Sequence, residues 1–266
     1  MIALGLTGVA VRAPGLGTWA ESCPILAGRT LHDPTATLDI PLPSMLSPNE
    51  RRRAGPLAKL ALSVCEEASL MAGHAPGALA SVFGSSNGDG AVVHDLLDTL
   101  ASPDPLLSPT RFHNSVHNAV AGYWAIATRS SAPVTCLGCH DATFAAALLK
   151  AAAQARSTDA PVLLCVYDAP MRLPLGALRT TTIGFAAAFV LTPTRLPQDL
   201  AYVRVAFSPS RTGPEPAPIQ AALRLLWQAN PVARALVLLE AIASGADATF
   251  GFPYAAGLLM VESAPR

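Results

Sequence analysis

The sequence predicts an α/β fold with a mixed or mostly parallel sheet, and three observations carry that expectation. Short apolar runs of strand length alternate with longer segments of helical period, as where Ala80–Phe83 leads into a helix through Leu100. Two runs, Pro161–Tyr167 and Phe185–Leu191, are apolar without interruption and read as buried strands. Finally, 51% of the 266 residues are hydrophobic and 14% charged, enough apolar mass for a substantial core and too little charge for a disordered chain.

Taken in order, Ile2–Val11 reads as the first strand, and a Pro/Gly-rich loop follows to about Pro48. Ser47-Pro48-Asn49-Glu50 opens a helix, with Ser47 as N-cap, Pro48 at the first position and Glu50 placed to close a capping box. Leu57, Leu60, Ala61, Val64 and Ala68 continue it at helical spacing to Gly73. The loop 84–90 lacks both the Gly-Lys-Ser/Thr ending of a nucleotide loop and the spacing of a dinucleotide loop, so it reads as a tight strand-to-helix connection. After a proline-rich loop at 101–109 come a helix over Val116–Ala127, a strand at Val134–Leu137 and an alanine-rich helix over Ala142–Ala155. Ala201–Phe207 alternates like a strand, Pro218–Ala243 is helical with a break at Asn230-Pro231, and Gly257–Glu262 is the last strand. No linker separates independent domains.

Net charge is zero, which removes the electrostatic case for nucleic acid or an anionic membrane as partner. The first residues lack a basic region ahead of their apolar run, and Val232–Ala243 is short and broken by Arg234 and Glu240, so no membrane span is expected. Cytoplasmic location is the resulting expectation, and with it five reduced cysteines. Cys136-x-x-Cys139-His140 matches the spacing of c-type haem attachment, of half a zinc site and of a redox pair. Cys23, Cys65 and Cys165 are isolated and supply no second close pair, which disfavours a metal or haem protein. His113 and His117, four apart, would share a face if helical, but no third ligand stands at matching spacing, so no metal site is expected.

Ser108–Ala152 resembles the β-ketoacyl synthase family of the thiolase-like fold. The landmarks are Pro109, Asn118-Ala119-Val120-Ala121-Gly122 and Pro133, followed by a strand that turns into an Ala-rich helix. Ile2–Gly17, Arg53–Gly73, Ser81–Gly90 and Ile183–Leu191 look like other parts of the family's first half. Ala201–Ser210 is similar to the start of the second half, and Ala248-Thr249-Phe250-Gly251-Phe252 resembles the loop before the final strand. The resemblance implies a ketosynthase fold with a complete first half over 1–192 and a reduced second half over 193–266 packed in the same domain. Phe112-His113-Asn114-Ser115-Val116-His117 with Asn118–Trp124 resembles, more narrowly, chain length factors found with aryl polyene and related pigment synthases.

A decarboxylating condensing enzyme needs a thiolate, donors that steady developing charge, and two imidazoles. In the family both imidazoles come from the second half. Here all six histidines lie at or before His140. Aligned without gaps, the family's cysteine position falls on Asp141; a two-residue deletion would place Cys139 there. Asp141 reads as a helix cap, Cys139 as the candidate nucleophile, and Cys136 as a packed strand residue. The resemblance further implies that Phe112, His113, Val116 and His117 line a subunit interface or acyl channel, with core packing the other reading for Phe112 and Val116. The function it implies is a non-catalytic chain length factor, paired with a β-ketoacyl synthase and reaching acyl carrier protein through that partner, with a homodimer possible when alone. It calls for no cofactor. An acyltransferase or condensing enzyme using Cys139 is the alternative.

Overall fold

A computed structural model describes residues 1–179, 181–214 and 216–266. Strand β1 (Ile2–Arg12) is followed by α1 (Trp19–Leu26), α2 (Pro48–Arg53) and α3 (Pro56–Met71). Then come β2 (Ala80–Gly84), α4 (Gly90–Leu100), α5 (Pro109–Asn114), α6 (Ala119–Thr128), β3 (Val134–Leu137) and α7 (Thr143–Thr158). The chain continues through β4 (Val162–Asp168), a single turn α8 (Leu175–Leu178), β5 (Phe185–Thr192) and β6 (Ala201–Ser208). It ends with α9 (Ala221–Ala229), a 3-10 turn over Pro231–Ala235, α10 (Leu236–Ser244), β7 (Ala248–Tyr254) and β8 (Gly257–Pro265).

The strands form one sheet in the order β3-β2-β4-β5-β1-β6-β8-β7. It is mixed, as expected, but parallel only where β2 pairs with β3 and β4; the other ladders are antiparallel. Helices cover both faces. In β4, Val162, Leu164 and Val166 point to the face of α7 and α10, while Leu163, Cys165 and Tyr167 point to the face of α3 and α6. In β5, Phe185, Ala187, Phe189 and Leu191 face one side, and Ala186, Ala188 and Val190 the other. A strand buried on both faces has no use for polar alternation, which is why these two runs are apolar throughout. Close packing also sets the need for Gly8: a Cβ there would lie 2.1 Å from the Ala68 carbonyl oxygen of α3.

Several elements differ from the sequence expectation. The helix expected from Ser47 to Gly73 is two, because Pro56 bars Gly55 from helical geometry and starts α3 afresh. Ser47 does cap α2, accepting from the Glu50 N–H at 3.3 Å. Helix α1 lies inside the expected loop, and its capping box, Thr18 with Glu21, was present as a Thr-x-x-Glu signature. The helix expected from Val116 begins instead at Ala119, and α5 starts at Pro109, within the expected loop. The stretch expected as a loop at Ala248–Phe252 is strand β7, because it pairs residue for residue with β8. The break at Asn230-Pro231 is present, with Asn230 Oδ1 accepting from the Val232 N–H at 3.0 Å.

Phe144, at the start of α7, stacks edge-on against Phe252 of β7 at 5.2 Å and tilts against Phe189 of β5 at 6.3 Å. It is fully buried and ties the edge strand β7 to the central strand β5. Replacing Phe144 with Ala should cost about 3–5 kcal/mol in urea denaturation. Replacing the exposed Leu106 with Ala should change stability by no more than about 0.5 kcal/mol.

Candidate functional site

Because β2, β3 and β4 run parallel, their C-terminal ends and the following turns gather at one end of the sheet. The turn from β3 to α7 is narrow. A Cβ on Gly138 would stand 2.8 Å from the Ser85 carbonyl oxygen and 3.2 Å from His117 Nε2, so glycine is required there. His140 takes a left-handed backbone with φ of 51°. The buried Thr143 ties the turn: its Oγ1 accepts from the Cys139 N–H at 2.9 Å and donates to the His140 carbonyl at 2.7 Å.

That arrangement corrects the reading of Asp141 as a helix cap. Ala142 occupies the cap position, and Thr143 supplies the local side-chain bonds. The Asp141 carboxylate instead pairs with Arg179 Nη1 at 2.9 Å and lies 3.4 Å from His140 Nδ1. Cys139 is exposed, on an open cleft of about 480 Å3 that Phe144, Phe252, Tyr254 and Arg234 also line. Cys136 is half-buried in β3, and burial raises its thiol pKa, as expected of a packed strand residue. Among the described residues no group of three or more His, Cys, Asp and Glu side chains is placed to hold a metal.

The loop after β2 is held from below by Asp168, the last residue of β4. Its carboxylate, fully buried, accepts from Ser85 Oγ at 2.7 Å, from the N–H groups of Ser86 and Asn87 at 3.0 and 3.2 Å, and from the Ser86 hydroxyl. Burial raises the Asp168 pKa, partly opposed by these hydrogen bonds. Asn87 passes the connection on, accepting from Arg179 Nε at 3.1 Å, and Arg179 in turn meets Asp141. The loop 84–90 is thus the tight connection the sequence suggested, and Asp89 caps α4 through the Val92 N–H at 3.1 Å.

The four interface candidates are all exposed, Phe112 at 61% and Val116 at 47%, so core packing is not their role within this chain. His113 and His117 do not share a helical face, because α5 ends at Asn114. His113 meets Tyr123 edge-on at 6.2 Å, whereas His117 Nε2 donates to the Ser85 carbonyl at 3.0 Å, beside the β3–α7 turn. Asp168, Asn87, Arg179 and Arg234 are site residues that sequence reasoning missed. An acid ending an otherwise apolar strand and an arginine breaking an apolar helix were the available signals.

Residues 29–229 match the family model described as beta-ketoacyl synthase, N-terminal domain, and the chain belongs to that family. No curated protein matches the sequence. Among solved structures the chain is similar to the ketosynthase ApeO in complex with its chain length factor ApeC from Xenorhabdus doucetiae, with a TM-score of 0.72 at 18% identity over 99% of this chain and 100% of that one. It is similar to the ishigamide ketosynthase/chain length factor, with a TM-score of 0.69 at 16% identity over 98% of each chain. A third likeness is to AntDE:AntF, a type II polyketide synthase acyl-carrier protein in complex with its ketosynthase, with a TM-score of 0.71 at 13% identity over 98% of each chain. At these identities the likeness is one of fold, and it makes the fold ketosynthase-type. No helix among the described residues is long and apolar enough to cross a membrane.

Asp168→Asn should destabilise the fold by about 1–3 kcal/mol, since an amide cannot accept all the donors that converge there. The folded state raises the Asp168 pKa, so it holds this proton more tightly than the unfolded chain does. Its contribution is therefore complete below the ordinary carboxylate range and is lost as pH rises through the raised value. The melting-temperature gap between wild type and Asp168→Asn should widen as the pH is lowered from mildly alkaline to mildly acidic.

Proposed function

We propose that the chain is a non-catalytic, chain length factor-like subunit that pairs with a β-ketoacyl synthase and shapes the channel for the growing acyl chain. The observation that carries this reading is the outer edge of β3, which among the described residues pairs with β2 alone. The chain leading into it is apolar on the outside: among the described residues, eight of the 18 exposed large apolar side chains fall between Leu97 and Val134, a seventh of the chain. An open strand edge amid exposed apolar side chains is a place for a partner rather than for water. Phe112, His113, Val116 and His117 belong to this surface and are assigned to the interface or channel.

The chemistry of the turn supports the non-catalytic part. No histidine follows His140 in the sequence, and His140 itself lies against Asp141 and Arg179. Residues 193–266, read as the reduced second half, supply three strands to the shared sheet and none of the imidazoles. Carrier protein would be engaged through the partner, in the cytoplasm, and a homodimer would form where no ketosynthase is present. A second reading keeps Cys139 as an acyl acceptor, because its thiol is exposed on the cleft.

Co-expression with a β-ketoacyl synthase from the same genome should yield a stable complex, and the pair should differ from the ketosynthase alone in yield or product length. Val116→Asp should lower recovery of the complex at least tenfold without changing the melting temperature of the isolated chain. A stable monomer with no effect on the ketosynthase would overturn the proposal. Incubation with an acyl thioester followed by mass spectrometry should find no adduct on Cys139; a stoichiometric adduct would favour the second reading.

A further inference from the structure

Two clefts meet at the β3–α7 turn. The larger, about 480 Å3, has Phe144 and Phe252 in its floor and Pro253 and Tyr254 in its wall. The smaller, about 290 Å3, is lined by Arg179 and by Gln228 of α9. Both include His140, Asp141 and Arg234.

The charges there do not balance. Among the described residues lining the two clefts, two guanidinium groups face one carboxylate, that of Asp141. Arg179 gives Nη1 to Asp141 and Nε to Asn87, yet its buried Nη2 has no hydrogen-bond partner among the described residues. Arg234 stacks on the Trp227 ring at 3.7 Å and donates to the Trp227 carbonyl, and it forms no ion pair among the described residues. Burial lowers the Arg234 pKa, the direction expected of a cation whose lost water is incompletely replaced. A buried donor or charge left unpaired is costly, and an incoming anion would offset that cost.

We propose that the joined clefts bind a small organic acid, its carboxylate between Arg179 and Arg234 and its apolar body over Phe144 and Phe252. Asp141 already cancels one of the two positive charges, so the site suits a monoanion better than a phosphate dianion. The larger cleft is of the size that holds small ligands. This site does not depend on the partner-subunit reading.

Isothermal titration of the purified chain with octanoate, 1-octanol and inorganic phosphate tests the idea. Octanoate should bind with one-to-one stoichiometry, and octanol and phosphate should each bind roughly tenfold or more weakly, the margin of one charge-assisted hydrogen bond. Arg234→Ala and Arg179→Gln should each weaken octanoate by a similar factor, whereas Asp141→Asn should tighten it by freeing Arg179. If Arg234→Ala fails to fold, Arg179→Gln and Asp141→Asn carry the test. Equal binding of octanol, equal binding of phosphate, no binding at all, or indifference to the arginine substitutions would each overturn the proposal. Because none of these outcomes involves the ketosynthase, the two readings fail separately.

Discussion

The ladder between β4 and β5 is the constraint on which the other elements depend. It pairs Val162–Asp168 with Phe185–Leu191 in the middle of the sheet, every residue of both runs buried. Such a ribbon needs apolar cover on two sides, so α7 and α10 are required on one face and α3 and α6 on the other. It also fixes where chemistry can occur. With β2 and β3 parallel to β4, the turns after three strands open at the same end, and Ser85, Gly138 and Asp168 are brought together from positions far apart in the chain.

How much of this was legible follows from the kind of signal each part carries. The central strands, the Ala-rich helix and the break at Asn230-Pro231 depend on local period and on proline, so the sequence spells them out. Gly55-Pro56 and the Thr18–Glu21 box were equally local and open to the same reading. By contrast, Ala248–Phe252 becomes a strand only because β8 lies beside it. The two strands form a hairpin joined by Ala255-Ala256, and strand preference depends on such a neighbour more than on the residues of the strand itself. The site was legible at Cys139 and Asp141, which sit on a recognisable turn, but not at Arg179 or Arg234. Those side chains reach the turn from the residue after α8 and from the 3-10 segment, and no spacing rule connects them.

Asp141 shows how context decides a residue's role. A carboxylate near a helix start is stabilised by the backbone N–H groups there. Here Thr143 has already taken the Cys139 N–H and the His140 carbonyl, and after the left-handed His140 the cap position falls one residue beyond Asp141, on Ala142. The carboxylate meets Arg179 instead. Asp168 secures that pairing at a distance, since it holds the loop carrying Asn87, and Asn87 steers the Arg179 guanidinium through Nε.

The same chain of contacts bears on what the turn can do. A condensing site needs a thiolate whose proton has somewhere to go and an imidazole that polarises a breaking carbon–carbon bond. The two clefts at this turn offer the guanidinium groups of Arg234 and Arg179, which stay protonated and cannot act as bases. His140 is the one imidazole lining these clefts among the described residues, and it rests against Arg179 and Asp141. Permanent cations can hold an anion in place but cannot shuttle a proton. On the reading proposed above, the electrostatics at this end of the sheet serve to hold an anion, whether Cys139 or Asp141 stands at the family's nucleophile position.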